Sequence, residues 1–413
     1  MTAGSGLQAY AEVVGEKAID YLRQVARPLQ GKTVVHVNST RTGGGVAEIL
    51  AWLVPLKREL GIDAHWEVIT GSDGFFQATK GFHNALQGTA AGIDESLLEK
   101  YILTNRENAA RLAPKLCEAD FVFIHDPQPA PLLSFLPERK GAWIWRCHID
   151  ASRPYPPVWE YLRERLVGYD ASIFSLANFA QSLPHPQYII PPSIDPLSDK
   201  NRQIDGREIA DIRQRFNLDP DRPLLLQVSR YDRFKDPLGV IVAYRLTRNY
   251  HPAQLVLAGG AADDDPEGSA VLEAVRREAA ADEDIHVLNL PPDSHRAINA
   301  LQRASEIVLQ KSTREGFGLT VTEALWKGKP VIGGNTGGIT LQVVDYHTGF
   351  LVDTPEGAAF RLRYLLTRPN RVSKMGETAR RFVLDHFLLT RQLRDYLTLM
   401  LGLWQGSRSH IDL

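Results

Sequence analysis

The chain has 413 residues, 44% of them apolar and 23% charged, with a formal net charge of −2. The length exceeds one compact core and points to two or three domains. The composition is that of a globular protein, and the nearly balanced charge gives no electrostatic case for nucleic-acid binding. Two cysteines, Cys117 and Cys147, are too few for a disulfide framework and fit a reducing cytoplasm. The stretch Met1–Gly6 has no basic region followed by an apolar run, so no signal peptide is expected. No apolar run approaches the roughly 18 residues of a membrane span. No internal repeat or low-complexity tract stands out. A cytoplasmic location is the expectation.

Short apolar, β-branched runs alternate with longer amphipathic stretches. The first half holds Thr33–Val37, Phe121–His125 and Trp143–His148, and the second holds Leu224–Ser229, Leu255–Gly259 and Pro330–Gly333. Continuous apolar runs separated by helical patterns read as buried parallel strands of α/β units. The pattern breaks between Pro191 and about Gly206, where prolines precede a polar stretch, and a new strand–helix series starts at Pro223. The predicted fold is therefore α/β, with two Rossmann-like, doubly wound domains over residues 1–195 and 196–389. Each presents strand C-termini to a central cleft. A last helix within about 390–413 can pack back on the N-terminal domain.

In the first half, Asn38–Glu48 follows a strand and opens a helix. Its Gly43, Gly44 and Gly45 let the backbone approach a ligand, and a helix N-terminus favours an anion. The motif is neither a Walker A loop nor the dinucleotide fingerprint. A plain turn from strand to helix is the other reading. Asp126 and Gln128, in His125–Pro129, can line a sugar pocket, or the prolines there simply shape a loop. His148, in Trp145–Asp150, can hydrogen-bond a substrate hydroxyl or carry a proton. It can equally be a structural histidine.

In the second half, Arg230 and Lys235 follow the first strand. They can grip two oxygens of one diphosphate, Arg as a fork and Lys as a point charge. That would neutralise a departing nucleoside diphosphate without a metal; the alternative is a solvated basic loop. Asp263–Glu267 reads either as a divalent-cation site or as a solvated turn before Pro266. Ser312–Ala324 carries the most information. Glu315 stands in a loop with Gly316 and Gly318, and Glu323 lies about two turns into the helix that follows. Carboxylates accept hydrogen bonds from sugar diols, and the first N–H groups of a helix favour phosphate. One loop–helix unit thus offers what a nucleotide sugar needs. Gly333–Ile339 either supplies N–H groups to a phosphate or sugar or only turns the chain. No nucleophile-elbow motif is present.

Glu315 and Glu323 resemble the Glu-x7-Glu signature of retaining GT-B glycosyltransferases, and Arg230 with Lys235 resembles that superfamily's phosphate-binding pair. Asn38–Leu50, Phe82–Gly88, His125–Pro129, Trp145–Asp150, Pro191–Ser198 and Arg314–Ala324 look like the trehalose glycosyltransferring synthases of glycosyltransferase family 4. These motifs span roughly residues 33 to 350. Fungal-type trehalose phosphorylases share several of them.

The resemblance implies a role for each matching residue. Glu323 would bind the nucleotide ribose. Glu315, with the backbone of Gly316, Phe317, Gly318 and Leu319, would hold the donor glucose. Arg230 and Lys235 would hold the diphosphate, helped by Gly43–Gly45, and His148 would stand near the donor sugar and the reaction centre. Polarity and loop position put the acceptor near Asn84, Gln87, Asp126, Gln128 and Asp150. The implied reaction is reversible transfer of glucose, with retention, from UDP-, ADP- or GDP-glucose to glucose, giving trehalose. His148, Arg230, Lys235 and Glu315 would carry it. No cofactor and no metal is expected. The expected partners are nucleoside diphosphate glucose, glucose and trehalose, with no nucleic acid and no membrane, and at most a second copy in a homodimer. The alternatives are a trehalose phosphorylase, a related transferase with another acceptor, and a non-catalytic nucleotide-sugar-binding protein.

Overall fold

The computed structural model describes residues 6–42, 44–90, 94–260 and 266–406. It divides into two compact units. One is the chain up to Ser193 together with the segment from Leu389 onward; the other is Ile194–Leu388.

The first unit is built on six parallel strands: β1 Thr33–Asn38, β2 Asp63–Val68, β3 Phe121–His125, β4 Ala142–Arg146, β5 Ala171–Phe174 and β6 Gln187–Ile189. Their order is β2-β1-β3-β4-β5-β6. β3 and β4 are apolar up to their last residues, His125 and Arg146, and β1 interleaves Thr33, His36 and Asn38 with valines; nearly every residue of the three is buried. The edge strands β2 and β6 are partly exposed and carry polar residues, among them Asp63, His65, Glu67 and Gln187. Helices Gly45–Glu59, Asp73–Leu86 and Glu95–Leu116 cover the sheet. The second of these starts at Ser72, whose hydroxyl accepts from the Phe75 N–H, and the third at Asp94, which accepts from Ser96. These side chains satisfy backbone donors that a helix start leaves open. Helix Leu389–Trp404 also belongs to this unit. It buries Leu393, Tyr396, Leu397, Met400 and Leu401, and Arg391 donates to the carbonyls of Pro191 (2.8 Å) and Pro192 (3.1 Å).

The second unit has β7 Leu224–Val228, β8 Gln254–Gly259, β9 Ile285–Asn289, β10 Ile307–Gln310, β11 Val331–Gly334 and β12 Gly349–Val352. They are parallel, in the order β12-β11-β10-β7-β8-β9. In that order the chain first moves outward from β7 through β8 to β9, then returns to the other side of β7. The switch falls between β7 and β10. In the first unit the corresponding switch lies between β1 and β3. Open α/β sheets bind ligands beyond the strand C-termini at such points.

The α/β architecture expected from the alternation is present. The run Trp143–His148 is shorter as a strand than the sequence suggests, because β4 ends at Arg146 and leaves Cys147 and His148 in the following loop. No helix among the described residues is long and apolar enough to cross a membrane.

With Leu389 and Leu399, helix Leu389–Trp404 buries seven apolar side chains, worth on the order of 15 kcal/mol at about 1.5–3 kcal/mol each. That is comparable with the whole stability of a domain. A chain ending at Leu388 is expected to lose its cooperative thermal transition. A truncated protein that melts like the full chain would show that this helix is dispensable.

Candidate functional site

In the second unit the loops after β7 and β10 meet at the switch point. After β7 the chain makes a short helical turn, Arg233–Lys235, started by Asp232, whose carboxylate accepts from the Phe234 N–H (2.8 Å). Gln227, inside β7, donates to the Lys235 carbonyl (2.8 Å). Asp236 follows in the left-handed region (φ 48°) and caps helix Pro237–Arg248 by accepting from Gly239. Lys311 forms an ion pair with Asp236. From the β10 side, the Thr313 N–H donates to the Phe234 carbonyl (2.8 Å). Side chains and backbone together therefore fix the Lys235 turn against the Glu315 loop.

Lys235 Nζ lies 2.6 Å from Glu315 Oε2, with the two side chains 17% and 9% exposed. Ser312 donates to the same oxygen at 3.2 Å. Charge-assisted contacts of this kind are stronger than neutral hydrogen bonds. Arg230 stands apart, 70% exposed, with its guanidinium 3.7 Å from Asp232. Gly318 initiates helix Leu319–Trp326 in the left-handed region (φ 82°), which few residues other than glycine adopt. Phe317 is buried, and its carbonyl accepts from Gln342 (2.6 Å). Glu323 is buried in the helix. Its backbone carbonyl accepts from Lys327 Nζ (3.2 Å), which also donates to Asn201 (3.0 Å). Burial pushes the Lys327 ammonium down against the pull of the Glu323 carboxylate.

The glycines of Gly333–Gly338 have a packing reason. A Cβ on Gly334 would lie 2.0 Å from the Ser312 carbonyl oxygen, and one on Gly337 would lie 1.7 Å from that of Glu315. One on Gly338 would lie 2.4 Å from the Phe317 Cα. This segment is the backing against which the Glu315 loop rests. The turn reading accounts for it.

In the first unit, β1 hands the chain to helix Gly45–Glu59 through Gly44 (φ 87°); Gly43 lies outside the described residues. Asp126, directly after β3, takes the left-handed conformation (φ 64°), which is uncommon for a non-glycine residue. Three hydrogen bonds hold it there. Its N–H donates to the Arg146 carbonyl (2.8 Å), its carbonyl accepts from Trp145 Nε1 (3.0 Å), and its carboxylate accepts from the His148 N–H (2.7 Å). Burial raises the Asp126 carboxyl to about 7, against the pull of that N–H and of Arg146. Asp150 accepts from Ser152 (3.0 Å). The Tyr155 N–H donates to the Ala85 carbonyl (2.8 Å), which brings the turn holding Asn84 and Gln87 beside the loop after Asp150. The backbone of Gln128 accepts from Asn105 (3.1 Å).

A feature absent from the sequence reading runs beneath His148. His148 Nε2 lies 3.0 Å from His125 Nδ1, His125 Nε2 lies 3.0 Å from His36 Nδ1, and His36 Nε2 lies 2.8 Å from Lys57 Nζ. Burial, reinforced by the charges of Lys57 and Arg146, lowers His125 to about 3 and pushes His36 and His148 well below their usual value. Burial also lowers Lys57 to about 7. The signal for Lys57 was there to find. It continues the buried face Leu50, Leu53 and Val54 of its helix, a place where period and polarity disagree.

The aspartates of 263–265, weighed above as a cation site, lie outside the described residues. Among the described residues no group of three His, Cys, Asp or Glu side chains is placed to hold a metal ion.

Residues 36–181 match the family model described as trehalose synthase, N-terminal domain, and residues 208–382 match glycosyl transferases group 1. A trehalose synthase of Thermococcus litoralis is 46% identical over 402 residues, covering 96% of this chain and 97% of the relative. The chain belongs to the trehalose synthase family of glycosyltransferases. Similarity to a trehalose phosphorylase of Pleurotus pulmonarius is lower, at 31% identity over 92% of this chain and 58% of that protein. The solved UDP-forming trehalose-phosphate synthase of Burkholderia xenovorans superposes with a TM-score of 0.72. It is 17% identical, and the match covers 90% of this chain and 99% of that one. At that identity the likeness speaks to the fold, which is GT-B.

Gly337→Ala tests the backing of the Glu315 loop. Its methyl group meets the Glu315 carbonyl at 1.7 Å in a backbone already at φ 46°. The expected loss is about 1–3 kcal/mol, the usual cost of overpacking, read by denaturant unfolding. An unchanged midpoint would show that the two loops separate freely.

Proposed function

We propose that this trehalose synthase family member transfers glucose from a nucleoside diphosphate glucose to free glucose, with retention and reversibly, to give trehalose. The observation that carries the reading is the Lys235–Glu315 pair at the β7/β10 switch point, set in a chain so similar to trehalose synthases over its full length. Lys235 and Arg230 take the diphosphate, and Glu315 takes the glucose hydroxyls. In the ligand-free geometry each of the buried pair neutralises the other, which limits the cost of desolvating either. A nucleotide sugar replaces both partners at once, supplying anionic oxygens to Lys235 and hydroxyl donors to Glu315. Glu323 takes the ribose. His148, Asp126, Gln128, Asp150, Asn84 and Gln87 are assigned to the sugar side, with Gly44 and Gly45 assisting the phosphates.

The transfer breaks the bond between glucose C1 and the phosphate oxygen and forms one from C1 to the acceptor hydroxyl oxygen on the same face. The acceptor's proton passes to the leaving phosphate oxygen. Arg230 and Lys235 stabilise the charge that develops there. The residues of this chain supply the cations, so the reaction as proposed needs neither a metal nor a cofactor.

The deciding experiment incubates the purified protein with UDP-, ADP- or GDP-glucose and glucose, without phosphate. Trehalose plus nucleoside diphosphate is the expected product pair. Glucose 1-phosphate from trehalose and phosphate, with no synthesis from any nucleotide sugar, would instead assign the chain to the phosphorylases. Lys235→Ala is expected to lower kcat on the order of 100-fold or more, with thermal unfolding as the control for an unpaired Glu315. Glu323→Ala is expected to raise KM for the nucleotide sugar with little change in kcat. An unchanged kcat in Lys235→Ala removes the diphosphate role.

A further inference from the structure

The three histidines under the proposed sugar site form a staircase across adjacent strands. His36 in β1 pairs with Phe123 of β3. His125 stands two residues farther along β3 and pairs with Arg146 of β4. His148 stands two residues beyond Arg146. Each step moves one strand sideways and two residues, roughly 6–7 Å, toward the strand C-termini. Even spacing keeps the side chains on one face, and the rings close to within 3.0 Å at both links. Lys57, on helix Gly45–Glu59 above that face, completes the row at 2.8 Å.

Lys57 is fully buried. Its Nζ lies 4.8 Å from the ring centre of Phe123 and 5.1 Å from that of Tyr396. Three N–H donors thus have three acceptors: two aromatic faces and His36 Nε2. In its ammonium form, the form favoured below about pH 7, Lys57 has no acceptor, so in that form the first bond of the row runs from Lys57 to His36. The rest follows from the chemistry of a neutral imidazole, which carries a proton on one nitrogen and a lone pair on the other. His36 accepts at Nε2 and so donates from Nδ1. His125 accepts at Nε2 and donates from Nδ1. His148 accepts at Nε2, and its proton resides on Nδ1.

We propose that Lys57 is a positioning residue for glycosyl transfer: through His36 and His125 it fixes His148 as a hydrogen-bond donor at Nδ1. The inference rests on the assignment of His148 to the reaction centre and adds its direction. A histidine held in this way donates to a sugar oxygen and takes no proton from the acceptor hydroxyl. Burial keeps all three rings uncharged, helped by Lys57 at His36 and by Arg146 at His125 and His148, which preserves the one-proton count that the relay requires.

The test uses the full chain labelled with ¹⁵N-histidine, with His148 signals assigned by their loss in His148→Asn. Long-range ¹H–¹⁵N spectra are expected to show His148 as the Nδ1–H tautomer. In Lys57→Met, a substitution of similar volume that the buried site tolerates, His148 is expected to shift toward the Nε2–H form that free imidazole side chains prefer. Turnover should fall on the order of 10-fold, as for other residues that orient a functional histidine, with KM for the nucleotide sugar nearly unchanged. Should Lys57→Met fail to fold, His36 supplies the second comparison. His36→Gln can accept from Lys57 and donate to His125, so it should hold the His148 tautomer and recover turnover relative to His36→Leu. An Nε2–H His148 in the unsubstituted protein overturns the proposal, as does a tautomer indifferent to both Lys57→Met and His36→Leu. Undiminished turnover in His148→Asn is a different failure. It removes His148 from the reaction while the tautomer result stands.

Discussion

In a parallel sheet each strand passes its chain to a crossover on one face. Where two neighbours pass theirs to opposite faces, neither crossover covers the strand ends. That constraint fixes where this chain can do chemistry. In the second unit the uncovered ends are those of β7 and β10, and the loops leaving them carry Lys235 and Glu315, 2.6 Å apart. In the first unit they are those of β1 and β3, which carry the Gly44–Gly45 turn and Asp126. The surrounding residues hold these loops in place. Gln227 and Thr313 tie the Lys235 turn to its strand and to the opposite loop, and Gly334, Gly337 and Gly338 let a third segment back up against Glu315.

The price of such sites appears as buried charge. Lys57 and Arg146 are fully enclosed in the first unit, and Lys311 and Lys327 are nearly so in the second. Replacing a buried ion by a well-packed apolar side chain is often neutral or stabilising, so these cations are not there for stability. Lys311 holds Asp236, the residue that turns the chain from Lys235 into its helix. Lys327 ties the helix carrying Glu323 to Asn201. Arg146 donates to Ser175 at 3.2 Å and lowers the affinity of His125 and His148 for protons. In each case the buried cation supports a segment assigned to ligand or controls a neighbour's proton.

Much of this was legible in the sequence because burial on both faces leaves a plain mark. β1, β3, β4, β7, β8 and β11 are rich in apolar residues and almost fully buried. β2, β6 and β9 are edge strands of mixed character, half exposed. β5, β10 and β12 span only four residues each, too few for a period to declare itself; β11, equally short, is set off by Pro330 and by Gly333 and Gly334. The spacing of Glu315 and Glu323 and of Arg230 and Lys235 is local and could be read directly. The histidine row could not, because His36, His125 and His148 are brought together by strand order, a property that one-dimensional spacing does not contain. For Gly333–Ile339 the sequence left a ligand loop and a plain turn open, and the packing of its glycines against the Glu315 loop gives the turn reading a physical reason.

The proposed chemistry and the proposed histidine tautomer constrain one another through the acceptor's proton. Transfer of glucose requires some group to take it. Arg230 and Lys235 have only donors to offer. Glu315 is assigned, in the proposed reading, to hydroxyls of the donor sugar. Asp126, raised to about 7 by burial, already accepts from the His148 N–H through its carboxylate. With His148 fixed as an Nδ1–H donor, that ring is not the base in the proposed route. The proton then goes to the leaving phosphate oxygen, whose basicity rises as its bond to C1 stretches and whose charge Arg230 and Lys235 are placed to bear. In the proposed route the leaving group serves as its own base. In the proposed route the acceptor oxygen approaches the face from which the phosphate departs, which is the geometric meaning of retention.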